Sequence, residues 1–366
     1  MVKIGKLTLD APFYQAGLAG YSDTAMRLIA RRHGAPYAVT EALLDLFLIN
    51  GGRGLSNAEL DPLDHPIAGQ IMGSEPVGMA QAAKILVGMG YDVIDVNLAC
   101  PVKKIRKRCR GGHLLTAPDE AIAILDAVRQ VVPDHVPTSV KLRRGYDDSP
   151  EAEANFHTIF QAVLKLGYAS ATIHGRTVEQ KYIGPSRWAF LSDLTKTYQS
   201  ATDAGFTIMG SGDIWNAQDV FRMIQQTGVQ GVSVARGCIG NPWLFTQARA
   251  IMAGDTFAAT TPPTIFQQRA VLLEHFDLSL RIHGERNAGM MMRKFGIRFS
   301  RHHPLGKEVA KEFINVHSLG DWQRAIEKHY AIDGPGVTSR ALGEPGGVES
   351  QAEAEEETCD TAATDG

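Results

Sequence analysis

The strongest constraint on the fold is a rhythm. Short β-branched and apolar runs, each ended by Gly, Pro, Asn or another polar residue, alternate with helical periodicity as far as about residue 250. Strands are expected near residues 12–17, 36–40, 66–71, 92–97, 137–142, 169–174, 206–210 and 230–235. Helices are expected near 23–33, 76–89, 119–131, 151–166, 216–226 and 241–252, with weaker signals near 42–50 and 187–198. Pro118-Asp119-Glu120 and Ser149-Pro150-Glu151 carry the proline and acids of helix first turns. Eight strands separated by helical segments fit an α/β fold, a (β/α)₈ barrel of the TIM type. A doubly wound sheet with inserted helices is the second candidate. The polar signatures favour the barrel, because nearly all of them follow directly on a strand, at the face where such barrels place chemistry.

The densest signature follows strand four. Val93-Ile94-Asp95-Val96 reads as a buried strand, and Asn97-Leu98-Ala99-Cys100-Pro101 breaks it, since proline cannot donate to a central ladder. A cysteine in a loop just past a strand end is poorly placed for packing. Six of the residues from 103 to 110 are basic (Lys103, Lys104, Arg106, Lys107, Arg108 and Arg110), so a potential acid or nucleophile sits beside an anion-binding segment. The plainer reading is a buried cysteine followed by a solvated basic loop. Strand five ends in Lys141-Leu142-Arg143-Arg144, three cations that are costly to bury together without an anion. Strand six runs into Ile173-His174-Gly175-Arg176-Thr177. Strands seven and eight are followed by Gly210-Ser211-Gly212-Asp213 and Ala235-Arg236-Gly237. Glycines let backbone N–H groups approach an anion, and barrels commonly hold phosphates between these two loops.

In this order the blocks resemble those of the dihydrouridine synthases, flavin enzymes that reduce uridine in tRNA. The family's N-x-x-C-P-x-x-K block is matched by Asn97, Cys100, Pro101 and Lys104, and its closing Gly-x-x-Leu-Leu by Gly111 to Leu115. Ile173 to Thr177 match its I-H-G-R-T, and Tyr182, Gly184 and Trp188 belong to a second matching block. The resemblance spans roughly residues 11–330 and implies FMN as cofactor and NADPH as reductant. It also implies hydride transfer from flavin N5 to uracil C6, and a proton from Cys100 to C5. The flavin contacts it implies fall on Gly17, Leu18, Ala19, Gln70, Lys141, His174, Ser211, Gly212, Asp213, Ala235 and Arg236. Gly17 and Leu18 replace the family's Pro-Met, and Ser211 replaces its usual Asn. Substrate contacts are implied at Asn97, Arg143 and Tyr182. The basic residues Lys103, Lys104, Arg293 and Lys294 are suited to an RNA backbone.

A net charge of −3 hides an uneven distribution. From Asp333 onward nine acids accompany the single base Arg340, which leaves residues 1–332 at +5 and suits a polyanionic partner. The expected organisation is a catalytic barrel over 1–253, a polar linker, and a helical tRNA-binding domain over 264–332. A disordered acidic tail over 333–366 completes it. Within the helical domain, helices are expected over Ile265–Gly284 and Glu285–His302, followed by shorter pieces to Tyr330. No apolar run reaches the ~18 residues of a membrane span. Cys100, Cys109, Cys238 and Cys359 lack metal-ligand spacing and suit a reducing cytosol. The expected protein is thus a cytoplasmic monomer without metal, acting on tRNA. Two other readings are an FMN-dependent reductase of a free pyrimidine or enone, and a non-enzymatic RNA-binding protein.

Overall fold

Each apolar run between helices becomes a strand that lays one face against helices and turns the other into a closed barrel. The computed structural model describes residues 1–52, 55, 58–102 and 110–338. Among these, a hairpin, β1 (Val2–Ile4) and β2 (Leu7–Leu9), precedes the barrel. The barrel strands are β3 (Phe13–Gln15), β4 (Ala38–Val39), β6 (Ile67–Met72), β7 (Val93–Leu98), β8 (Thr138–Arg143), β9 (Ser170–His174), β10 (Thr207–Ser211) and β11 (Gly231–Val234). They pair in parallel, and the ring closes where Ala38 meets Ile67. β5 (Leu43–Leu44) extends the ladder of β6 beyond the end of β4. This is the TIM barrel that the alternation predicts, and each expected strand lies within a few residues of an observed one.

The helices in barrel order are α1 (Thr24–Arg32), α2 (Asp45–Asn50), α3 (Pro76–Gly88), α4 (Pro118–Val131), α5 (Pro150–Lys165), α6 (Trp188–Thr197), α7 (Gln199–Asp203), α8 (Ala217–Thr227) and α9 (Trp243–Ala253). Their starts follow the sequence signals. The Ser149 side chain accepts from Ala152 N ahead of Pro150, and Asn216 with Asp219 forms a capping box for α8. The main apolar core lies between strands and helices. A second, small core fills the N-terminal end of the barrel, where Val2, Ile4 and Leu9 of the hairpin meet Val39, Ala68, Val93 and Met209. The hairpin thus plugs one end, and the other end is left for chemistry.

α10 (Ile265–Phe299) begins in a Thr264–Gln267 capping box and breaks at Gly284, whose φ is 71°. The sequence places its helix boundary at the same glycine. α11 (Gly306–Ile314) and α12 (Leu319–His329) fold back on α10, and Trp322 stacks on Phe276 with ring centroids 4.8 Å apart. Residues 333–338 are tied down. Asp333 Oδ1 accepts from Phe266 N (2.9 Å), Gly334 O from Ile265 N (3.0 Å) and His302 O from Val337 N (2.9 Å). The ordered chain therefore runs past the expected start of the acidic tail at Asp333. Residues 339–366, the rest of that tail, lie outside the described residues.

Candidate active site

The inward face of the barrel carries polar side chains above the small core. Gln70, Asp95 and Ser139 are register neighbours on β6, β7 and β8, so all three project to the same level. Gln70 Nε2 donates to Asp95 Oδ2 (2.7 Å), and Ser139 Oγ donates to Asp95 Oδ1. Burial pushes the Asp95 carboxyl up, while the Ser139 and Gln70 donors and the charge of Lys141 pull it back. Asn97, one inward position further along β7, donates Nδ2 to Gln70 Oε1 (2.6 Å). Its Oδ1 accepts the backbone N–H groups of Ala99 (2.9 Å) and Cys100 (3.1 Å). The break after strand four is therefore a turn capped from inside the barrel.

Cys100 lies on that turn, partly exposed. Its carbonyl accepts from Gly112 N (3.0 Å), and an added Cβ on Gly111 would stand 2.9 Å from Cys100 Cβ. Both ends of the basic loop thus meet at the cysteine, while Lys103, Lys104 and Cys109 themselves lie outside the described residues. Burial pushes the Cys100 thiol above its usual range, against the opposing pull of a Val102 backbone hydrogen bond and the charges of Arg143 and Lys141. Desolvation outweighs the cations, and the sulfur stays protonated near neutrality.

On β8, Lys141 aligns with Asn97 on one side and Thr172 on the other. Desolvation, helped by repulsion from Arg143, lowers its pKa to about 8, with Asp95 opposing. Arg143 is buried and donates Nε to Ala99 O (2.8 Å) and Nη1 to the carbonyls of Thr177 and Lys181 (2.8 Å each). His174 is held well below its ordinary pKa, first by burial and then by Arg143, Lys141, Arg176 and Arg236, and is neutral. Its Nδ1 faces Arg176 N (3.3 Å).

The loops after β9 and β10 are laced together. Arg176 Nη2 pairs with Asp213 Oδ1 (2.7 Å), whose other oxygen accepts from Ser186 N (2.6 Å), and Trp188 Nε1 donates to Gly212 O (3.0 Å). Asp213 has a positive φ of 59°, and its carboxylate is spent within the protein. Gly212, with φ 110°, lets two side chains pack against its backbone: a Cβ there would meet Ser186 Oγ at 2.4 Å and His174 Nε2 at 3.1 Å. The Arg236 guanidinium sits 4.8 Å over the Tyr182 ring and 4.9 Å over the Trp215 ring, and Arg143 faces Tyr182 at 5.7 Å. Ser211, next to Gly212, is buried, and Ala235 starts the short 3₁₀ turn at Arg236–Cys238.

The loop after β3 is fixed from two sides. A Cβ on Gly17 would stand 2.1 Å from Thr40 O, so the chain approaches the end of β4 too closely for a proline or any other side chain. Leu18 packs on the core, its N–H donating to Ser22 Oγ (2.7 Å), and Ala19 is exposed. From the helical region, Lys294 Nζ donates to Gly20 O and lies 4.7 Å over the Tyr21 ring, while His283 Nε2 meets Asp23 Oδ2 at 2.7 Å. Lys294, expected from sequence to face RNA, thus engages the barrel; Arg293 beside it is partly exposed. The sequence also gives no sign of the Asp95 and His283 contacts, because each partner is remote along the chain.

The donor set suits an anionic ligand. Lys141, Arg143 and the neutral His174 cluster at one barrel mouth, above the buried carboxylate of Asp95. Among the described residues no group of three or more His, Cys, Asp or Glu could hold a metal ion, and no helix is long and apolar enough to cross a membrane.

A parallel barrel with its polar residues at the C-terminal strand ends defines a class of enzyme-bearing fold. Within it, residues 14–319 match the family model for dihydrouridine synthase (Dus), and the chain belongs to that family. It is 29% identical over 334 residues to tRNA-dihydrouridine synthase B of Xanthomonas campestris pv. campestris, covering 90% of this chain and 95% of that one. It is 30% identical over 288 residues to a probable tRNA-dihydrouridine synthase of Rickettsia conorii, covering 78% and 83%. Among solved structures, histamine dehydrogenase from Rhizobium sp. 4-9 shares the fold, with a TM-score of 0.53 and 14% identity over 69% of this chain. This chain spans 47% of that protein.

Proposed function

We propose that the chain is an FMN-dependent tRNA-dihydrouridine synthase, an oxidoreductase that uses NADPH to saturate the C5=C6 bond of uridines in tRNA. The observation that carries this reading is the place of Cys100, on a capped turn at the same barrel mouth as Lys141 and His174. When bound, FMN supplies the hydride. Lys141 would hold the electron-rich edge of the ring, with Gln70 donating its second amide hydrogen. His174 and the backbone around Ser211, Gly212, Ala235 and Arg236 would hold the phosphate side. Gly17, Leu18 and Ala19 would close over the ring, and Asp213 would act by fixing the loop at Gly212 through Arg176 and Ser186. Asn97 and Tyr182 would border the uracil. Cys100 would deliver a proton to C5, its thiol kept in the acid form by desolvation. Uracil must leave its stack to reach this mouth, which costs less in an RNA loop than in a duplex.

The direct test is position-resolved dihydrouridine mapping in tRNA from cells with and without this chain, alongside the visible absorbance of the purified protein. Loss of modification at defined positions and a flavin spectrum are expected. An unchanged map, or a colourless protein that FMN cannot reconstitute, would count against the assignment.

RNA binding supplies a second test. Neutralising Lys103 and Lys104 is expected to flatten the slope of log affinity against log salt, by about 0.7–0.9 for each phosphate left without its cation. Lys294→Met should leave the slope as it is, since that ammonium is engaged by Gly20. Equal slopes for all variants would show that the basic loop does not neutralise tRNA phosphates.

A further inference from the structure

Asp95 is a buried carboxylate on the floor of the mouth, and it is joined to the cysteine turn by an unbroken chain of side chains. Both of its oxygens accept, from Gln70 and from Ser139, which is the pattern of an ionised carboxylate. Gln70 must therefore present its NH₂ group to Asp95 (2.7 Å), which turns its oxygen toward Asn97. Asn97 must in turn donate to that oxygen (2.6 Å), which leaves its own oxygen for the N–H groups of Ala99 and Cys100. Each amide has two orientations of nearly equal shape, and the carboxylate at one end and the two backbone N–H groups at the other select the same one. The reverse orientation would aim the Asn97 NH₂ at two backbone N–H groups and undo the turn. Ser139, donating to the other oxygen of Asp95, keeps that group an acceptor on both sides.

We infer that Asp95 is a positioning residue: its negative charge sets the direction of the Gln70–Asn97 hydrogen bonds and so holds the turn that presents Cys100. The consequence for catalysis rests on the reading of Cys100 as proton donor; the structural claim does not. Burying a charge at this depth is costly, and a neutral group of the same shape would be cheaper unless directionality were needed. Such polar networks specify one arrangement when every member is satisfied, and here every link has a partner.

The test moves the charge one link along. In Asp95→Asn the selecting charge is gone. In the double variant Asp95→Asn, Gln70→Glu the carboxylate introduced at position 70 accepts from the amide introduced at position 95 and from Asn97 together. That restores the direction of the bond that fixes Asn97. The readout is hydrogen exchange of the Ala99 and Cys100 amides in the full-length protein, which needs neither flavin nor RNA. Exchange at these two amides is expected to be about tenfold faster in the single variant, with the double variant close to wild type. Unchanged protection in Asp95→Asn would overturn the inference. So would loss of protection that the double variant fails to restore, because Asp95 would then act only through packing. If Asp95→Asn does not fold, the double variant is read alone, with wild-type protection supporting the inference and lost protection overturning it. Dihydrouridine formation by the wild-type protein is scored separately: its absence faults the catalytic reading and leaves the positioning claim standing.

Discussion

Cys100→Ala is expected to lower dihydrouridine formation by about 10²–10⁴-fold, the usual range for loss of a general acid, while leaving oxidation of NADPH by the protein largely intact. Reduction of the cofactor involves no proton delivered to uracil, so the two half-reactions should separate in this variant. Cys100→Ser should also be poor, since a hydroxyl is a far weaker acid than a thiol. The pH dependence follows from the burial of the sulfur. A general acid works while protonated, so activity falls as pH rises through its pKa. Desolvation pushes that pKa above the ordinary cysteine range despite the nearby Arg143 and Lys141. The fall attributable to Cys100 should therefore lie on the alkaline side of an ordinary thiol, and no loss should come from this group through neutrality. Measuring both half-reactions against pH on unmodified tRNA checks each part. Normal uridine reduction by Cys100→Ala would remove the cysteine from the mechanism. Loss of both half-reactions would make it a structural residue.

The barrel is legible in the sequence because each strand is a short apolar run whose neighbours are fixed by the alternation itself. Gly284 can be read as a helix break, since glycine carries little helical preference, and the kink in α10 falls there. The hairpin Val2–Leu9 is invisible to the same reasoning, as strands of three residues give too little periodicity. The strand-end residues are visible as residue types, but their partners are not. Asp95 looks like one polar residue in a buried strand. Its partners Gln70 and Ser139 lie 25 and 44 positions away and become neighbours only through register. Lys294 is a related case. A cation on a helix looks solvated or RNA-facing, and only the seating of α10 beside the first barrel loop brings it to the Gly20 carbonyl. At Gly17, where the family has proline, the end of β4 comes so close that a Cβ has no room, a constraint that depends on tertiary approach alone.

Arg143→Met should be the most disruptive single change at the rim, and it separates two roles for this residue. The sequence resemblance implies contact with uracil. In the structure the guanidinium is buried and spans three carbonyls, those of Ala99, Thr177 and Lys181, each at 2.8 Å. It straps the cysteine turn to the loop that carries Tyr182. Its pKa is lowered to about 10, chiefly by burial, so it remains charged at neutral pH and its bonds are charge-assisted. Methionine fills much of the stem volume but strands the acceptors, at about 1–3 kcal/mol for each that water cannot reach. Lys181 O is only partly buried and can be rehydrated, so a loss of about 3 kcal/mol is expected for the whole strap. Arg143→Lys should recover little, because an ammonium lacks the planar fork needed to reach several acceptors at once. Denaturant unfolding and steady-state kinetics on the same preparations distinguish the roles. A strap predicts reduced stability together with a lower kcat, as the turn bearing Cys100 loosens. A residue whose work is uracil contact predicts a raised KM with stability unchanged. That second pattern would show that the three carbonyls do not depend on Arg143, and would return it to the substrate side of the mouth.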